Sequence, residues 1–231
     1  MLDAADAGES VLLIAPTGGG KTLAGFLPSL VDLAANPRPG LHTLYVSPLK
    51  ALATDIVRNL TEPVRQMGLP IGIEARTGDT PANRRARQKA APPHLLLTTP
   101  ESLAVLISLP DAPAFFSSLA CIVMDEVHAL AGTKRGDQLA LAVSRLGTLA
   151  PNARRIGLSA TVAHPDAIQA YTGATRRIEV ADGAPPEIGI RMPEGRLSWS
   201  GHMGLEAAPR IMERINAAGM TIVFVNTRAQ A

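Results

Sequence analysis

The sequence predicts an α/β fold: a mostly parallel sheet with helices on both faces. Two observations predict it. Short runs rich in Leu, Val and Ile recur between residues 10 and 161, and most are apolar throughout, without in–out alternation. Such strands are buried on both faces. Longer stretches of helical character separate the runs, and strand–helix alternation of this kind builds a parallel sheet.

The elements follow in order. SVLLIAP (10–16) is the first strand, and a helix runs from about Lys21 to Ala35. HTLYVSP (42–48) is the second strand, followed by a helix from about Leu49 to Met67. IGIEART (71–77) and HLLLTTP (94–100) are the third and fourth, with the polar, basic helix PANRRARQKA between them. LACIVMDE (119–126) and RRIGLSAT (154–161) are the fifth and sixth. After about Tyr171 the pattern breaks into Gly, Pro and isolated charges, the mark of a linker with one or two short extended pieces. A helix over 205–218 and a strand over 220–227 (MTIVFVNT) close the chain. A lone helix and strand cannot make a domain. The expected organisation is a first lobe over 1–175, a linker over 176–204 and the truncated start of a second lobe over 205–231.

Composition sets bounds. Aromatic residues make up only 3% of the chain, so the core is expected to be aliphatic. A net charge of +2 is too small to imply a nucleic-acid partner by itself. The single cysteine, Cys121, excludes an internal disulfide framework. No apolar stretch reaches the roughly 18 residues of a membrane span, and the acidic, polar start is unlike a secretory signal. The expected location is the cytoplasm, with no membrane partner.

Two stretches carry chemistry. APTGGGKT (15–22) lies between a strand and a helix, the context of a phosphate-binding loop. Thr17, Gly18, Gly19 and Gly20 let the backbone wrap the phosphates, Lys21 neutralises them, and the Thr22 hydroxyl ligands Mg²⁺. Ala15 holds the position usually occupied by the first glycine. The second stretch is CIVMDEVHAL (121–130), where a buried run ends in adjacent acids. Alone, Asp125 and Glu126 fit a surface turn, a metal site or half of a nucleotide-hydrolysing site. The phosphate loop selects the third. Asp125 then holds Mg²⁺ and Glu126 orients and deprotonates the attacking water. ATP and Mg²⁺ are the implied cofactors, with Lys21, Asp125 and Glu126 as the catalytic set.

With His128 added, the string Asp125-Glu126-Val127-His128 downstream of such a loop resembles a DEXH-box helicase of superfamily 2. The resemblance implies a RecA-like P-loop NTPase lobe and gives His128 a coupling role. Further motifs come in that family's order. SPLKALATD (47–55) resembles motif Ia and TTPESL (98–103) motif Ib, implying nucleic-acid contacts at Ser47, Pro48, Lys50, Thr98, Thr99 and Pro100. SAT (159–161) resembles motif III, implying that Ser159 and Thr161 couple hydrolysis to strand movement. TIVFVNTR (221–228) resembles the opening of the second lobe with motif IV. RTGDTP (76–81), DEVHALAGTKRGDQLAL (125–141) and WSGHMG (199–204) narrow the resemblance to the Lhr-like helicases, and within them to the ligase-associated branch.

That resemblance implies ATP-driven movement, 3′-to-5′, on single-stranded or 3′-tailed DNA, a role in repair, and a DNA ligase and a nuclease as partners. Lys134 and Arg135 either face the DNA path or form a solvated basic turn. Arg84, Arg85, Arg87 and Lys89 read mainly as a solvated basic face, and Trp199 as a packing residue or a base-stacking one. The family's adenine-reading Gln motif has no counterpart among the 14 residues before the loop. The chain also stops before motifs V and VI and the arginine finger. The expectation is therefore an N-terminal fragment with weak turnover and no unwinding. Two alternatives stay open: an RNA helicase or RNP remodeller, which shares these motifs, and a catalytically silent nucleotide-binding fragment.

Overall fold

The computed structural model describes residues 1–180, 187–190 and 204–225. The chain divides into two units, Met1–Gly183 and Ala184–Ala231. In the first, α1 (Leu2–Asp6) leads into β1 (Val11–Ile14) and α2 (Lys21–Ala35). Next come β2 (Thr43–Val46), α3 (Lys50–Gln66), β3 (Ile73–Arg76) and α4 (Ala82–Ala90). β4 (Leu95–Thr98), α5 (Pro100–Ser108) and the short α6 (Ala112–Phe115) follow. The unit is completed by β5 (Cys121–Met124), α7 (Val127–Leu130), α8 (Lys134–Leu149), β6 (Arg154–Ser159), α9 (Pro165–Thr172) and β7 (Arg176–Glu179).

The seven strands lie in the order β3-β4-β2-β5-β6-β1-β7, and every pairing is parallel. Successive strand side chains point to opposite faces, so each central strand feeds two cores. Leu12, Ile14, Leu44, Val46, Ile122 and Met124 pack on one face, with Leu103 and Leu106 of α5 and Leu139, Val143 and Leu146 of α8. Leu13, Tyr45, Leu97, Val123 and Leu158 pack on the other, with Phe26, Leu30 and Leu33 of α2 and Ile56, Leu60 and Val64 of α3. This double burial is why these strands lack a polar face. The fold is the expected α/β sheet with helices on both sides.

The sheet runs past the expected boundary at residue 175. β7 pairs with β1 from Val11↔Arg176 to Ile14↔Glu179, inside the stretch expected to be linker. Its sequence, RRIE, is polar because it is an edge strand. Arg176 pairs with Glu9, and Arg177 with Asp166 and Glu179. Charges on an edge discourage further strand addition. They also erase the apolar signal by which the five inner strands are read.

In the second unit, α10 spans Gly204–Ala217. Residues 187–190 and 221–225 are irregular, so the strand expected at 220–227 does not form over its described part. Trp199, Asn226 and Arg228 lie outside the described residues.

Candidate nucleotide and nucleic-acid site

In a parallel sheet all strands point the same way, so the loops that follow them emerge along one edge. The lateral order sorts them. β5, β6 and β1 are neighbours, and they carry the acids, the Ser-Ala-Thr turn and the glycine loop. β2 and β4 are neighbours, and they carry the Ser-Pro-Leu-Lys and Thr-Thr-Pro-Glu turns. Nucleotide-type loops occupy one half of the edge and nucleic-acid-type loops the other, meeting where β2 pairs with β5.

The glycine loop folds as its residues require. Gly18 and Gly20 have φ of 83° and 73°, the left-handed region that a side chain disfavours. Gly19 is constrained differently: a Cβ there would lie 3.0 Å from the Pro16 carbonyl oxygen, a tight contact. Thr17 and the three glycines are exposed, whereas Lys21 is buried. Its ammonium donates to the carbonyls of Ala15 (2.9 Å) and Pro16 (3.1 Å), which holds the charge over the loop. No side chain caps the N-terminus of α2, so its amides are available to an anion.

Asp125 is 5% exposed. One carboxylate oxygen accepts from the Glu126 amide at 2.9 Å and the other from the Tyr45 hydroxyl. Burial, joined by the charge of Glu126, raises its pKa above the ordinary carboxylate value, although the Tyr45 hydrogen bond opposes that shift. A divalent cation would reverse this balance. Thr22, in the first turn of α2, is the second residue expected to hold Mg²⁺. A hydroxyl and a carboxylate, both hard oxygen donors and few in number, suit Mg²⁺, which keeps several waters. Among the described residues no group of three or more His, Cys, Asp or Glu could hold a metal ion by itself.

Glu126 is the only non-glycine residue at positive φ among those described, at φ 48° and ψ 43°. Strain of this kind concentrates at functional positions. Its carboxylate lies 3.3 Å from His128 Nε2. His128 Nδ1 accepts from the Ala160 amide at 3.2 Å, so the ring proton sits on Nε2 and points at Glu126. Ser159 Oγ lies 3.4 Å from the same Nδ1. His128 thus joins the acid to the Ser-Ala-Thr turn; Thr161 lies two residues past Ser159 in the same loop.

The turn from α7 to α8 rests on a close approach. A Cβ on Gly136, in the first turn of α8, would lie 2.0 Å from the Leu130 carbonyl oxygen at the end of α7. Gly136→Ala is expected to cost about 3 kcal/mol or more, because backbone cannot yield as a side chain can. Urea unfolding checks this; an unchanged midpoint would mean that the two helices are free to separate.

The expected nucleic-acid residues turn mostly inward. Ser47, Pro48, Thr98, Thr99 and Pro100 are buried. Thr98 donates to the Arg76 carbonyl at 2.7 Å, and Thr99 caps α5. Their side chains shape the turns. Lys50 is exposed and paired with Asp79 at 3.0 Å. Lys134 is exposed. Arg135 is neither a simple surface cation nor a plain basic turn. It reaches Glu101 at 2.6 Å and the Pro48 carbonyl at 2.7 Å, tying both turns to the helix behind the acids. Arg84 and Arg87 bind Glu74, Arg85 binds the Thr77 and Gly78 carbonyls, and Lys89 binds Asp111.

Sequence reasoning missed Tyr45 and the clamp made by Arg135. The one available signal for Tyr45 was an aromatic residue in an aliphatic strand of a chain poor in aromatics.

Known proteins share this sequence and fold. The chain is 39% identical to the "Lhr helicase/ probable uracil glycosylase" of Mycolicibacterium smegmatis, over 97% of its own length and 16% of that protein's. It is 37% identical to "ATP-dependent helicase Lhr-Core protein 2" of Thermococcus barophilus, over 97% of its length and 29% of that protein's. The structure of the Mycobacterium smegmatis helicase Lhr bound to ssDNA and AMP-PNP superposes with a TM-score of 0.82 at 39% identity, covering 98% of this chain and 31% of that one. The chain therefore spans less than a third of the length of these relatives. A profile described as DEAD/DEAH box helicase matches residues 1–169, so the loop, the acids and the turns beside them lie within one matched region, and the chain belongs to the DEAD/DEAH box helicase family.

Proposed function

We propose that this chain binds ATP with Mg²⁺ and hydrolyses it, as the first RecA-like lobe of an Lhr-type DNA helicase or translocase. The observation that carries the reading is the buried Lys21 ammonium, held over the glycine loop by the Ala15 and Pro16 carbonyls, on the same sheet edge as the buried Asp125 carboxylate two strands away. The glycine loop and the start of α2 receive the phosphates, and Lys21 turns its ammonium to the β- and γ-phosphates. Thr22 and Asp125 hold Mg²⁺, which neutralises charge on those phosphates when bound. Glu126 orients a water in line with the γ-phosphate and takes its proton. His128 steadies Glu126 through Nε2–H and passes any change there to the Ser159–Thr161 turn.

The DNA half of the reading is supported by the ssDNA complex of the Lhr relative. The turns at Ser47–Lys50 and Thr98–Pro100 would lie along the strand's backbone, with the exposed Lys50 available to a phosphate, which suits sequence-independent binding of a strand. No described helix is long and apolar enough to cross a membrane; we place the chain in the cytoplasm. The DNA ligase and nuclease of the ligase-associated branch are proposed partners, tested by co-purification with this chain.

The test is binding and turnover together: a fluorescent ATP analogue titrated with and without Mg²⁺, and ATPase with and without single-stranded DNA. Failure to bind the nucleotide overturns the reading. Binding without turnover assigns the chain a nucleotide-holding role. Equal competition by RNA would favour the RNA-remodelling alternative, since only contacts to the 2′-OH position separate the two.

Salt dependence separates the two basic residues past the acids. Lys134→Ala is expected to lower the slope of log affinity against log salt by about 0.7, one phosphate contact on a single strand. Arg135→Ala is expected to weaken binding with the slope unchanged, because its guanidinium is committed to Glu101 and Pro48. A fall in slope for Arg135→Ala would make it a direct phosphate contact.

A further inference from the structure

Tyr45 is fully buried, and its ring stacks on Phe26 with centroids 4.7 Å apart and planes 15° apart. The ring sits between Leu97 and Val123 in the registers of β4 and β5, so it has no room to swing. A phenylalanine would fill that space equally well. The hydroxyl is therefore not demanded by packing, and a buried hydroxyl without partners is costly. Here its partner is Asp125, to which it donates. With the Glu126 amide on the other oxygen, both oxygens of the Asp125 carboxylate are held.

We propose that Tyr45 is a positioning residue for Mg²⁺: its hydroxyl holds the Asp125 carboxylate in one orientation, so that the cation meets a ligand already set. The inference rests on the MgATP reading above. Groups that orient metal ligands act through the ligand's rotamer, and their loss shows in metal affinity before it shows in fold.

Tyr45→Phe in the full chain tests it by two measurements. The first is the affinity of the fluorescent ATP analogue, in EDTA and across a Mg²⁺ titration. Affinity in EDTA is expected to stay unchanged while the Mg²⁺ midpoint rises about tenfold or more. An unchanged or lowered midpoint overturns the proposal. The second is thermal unfolding without nucleotide, comparing Tyr45→Phe in the wild-type and Asp125→Ala backgrounds. The substitution is expected to lower Tm in the first background and leave it unchanged in the second. Equal shifts in both would show that the hydroxyl is not coupled to Asp125, and the proposal falls. This cycle needs no ligand. A wild-type chain that binds no nucleotide therefore defeats the ATP reading alone, while the cycle still judges the tyrosine.

Discussion

Glu126→Gln is expected to bind MgATP as the wild type does and to lose turnover by at least about a hundredfold, the usual contribution of a general base. The amide matches the carboxylate in size and still accepts from His128 Nε2, so the turn keeps its shape. It cannot take a proton from water. The same position makes a second, independent prediction. Glu126 sits at φ 48°, where a side chain crowds its own backbone. Glu126→Gly is expected to be inactive and more stable than the wild type by about 1 kcal/mol, the cost of a left-handed residue less the entropy of glycine. ATPase assays and urea midpoints on the two variants check both statements. Turnover that survives in Glu126→Gln would move the base elsewhere. A destabilised Glu126→Gly would mean that the carboxylate contributes more through His128 than the backbone strain costs.

Lys21→Ala is expected to weaken nucleotide binding on the order of a hundredfold, since charge-assisted hydrogen bonds to phosphate are among the strongest a site makes. The ammonium is already held at the loop by two carbonyls, so little reorganisation is needed for it to turn to the phosphates. Lys21→Arg is not expected to restore binding. A planar fork cannot sit where a compact ammonium is enclosed. Titration of the fluorescent analogue measures all three chains, and an alanine variant of unchanged affinity would remove Lys21 from the site.

Much of the fold was legible because the signals are local. Runs such as VLLI and CIVM are apolar on both faces, and the sheet buries both faces. The glycine loop was legible because positive φ at Gly18 and Gly20 demands that residue type. β7 was not legible, because its charges suit an edge and an edge strand resembles a linker. The basic face of α4, read mainly as solvated, is exposed at Arg84 and Arg87, and Glu74 pairs with both. Ion pairs between a helix and a strand leave no periodic mark in sequence.

The sequence by itself determined the strand–helix alternation, the phosphate loop, the paired acids and the family, since each depends on residues within a few positions of one another. Only the tertiary structure decided what joins them. The Tyr45 hydroxyl meets a carboxylate 80 residues away, and Arg135 reaches a carbonyl 87 residues away. The lateral order of strands brings such residues together. That order is set by how two hydrophobic cores close over the sheet, which no window of local sequence contains.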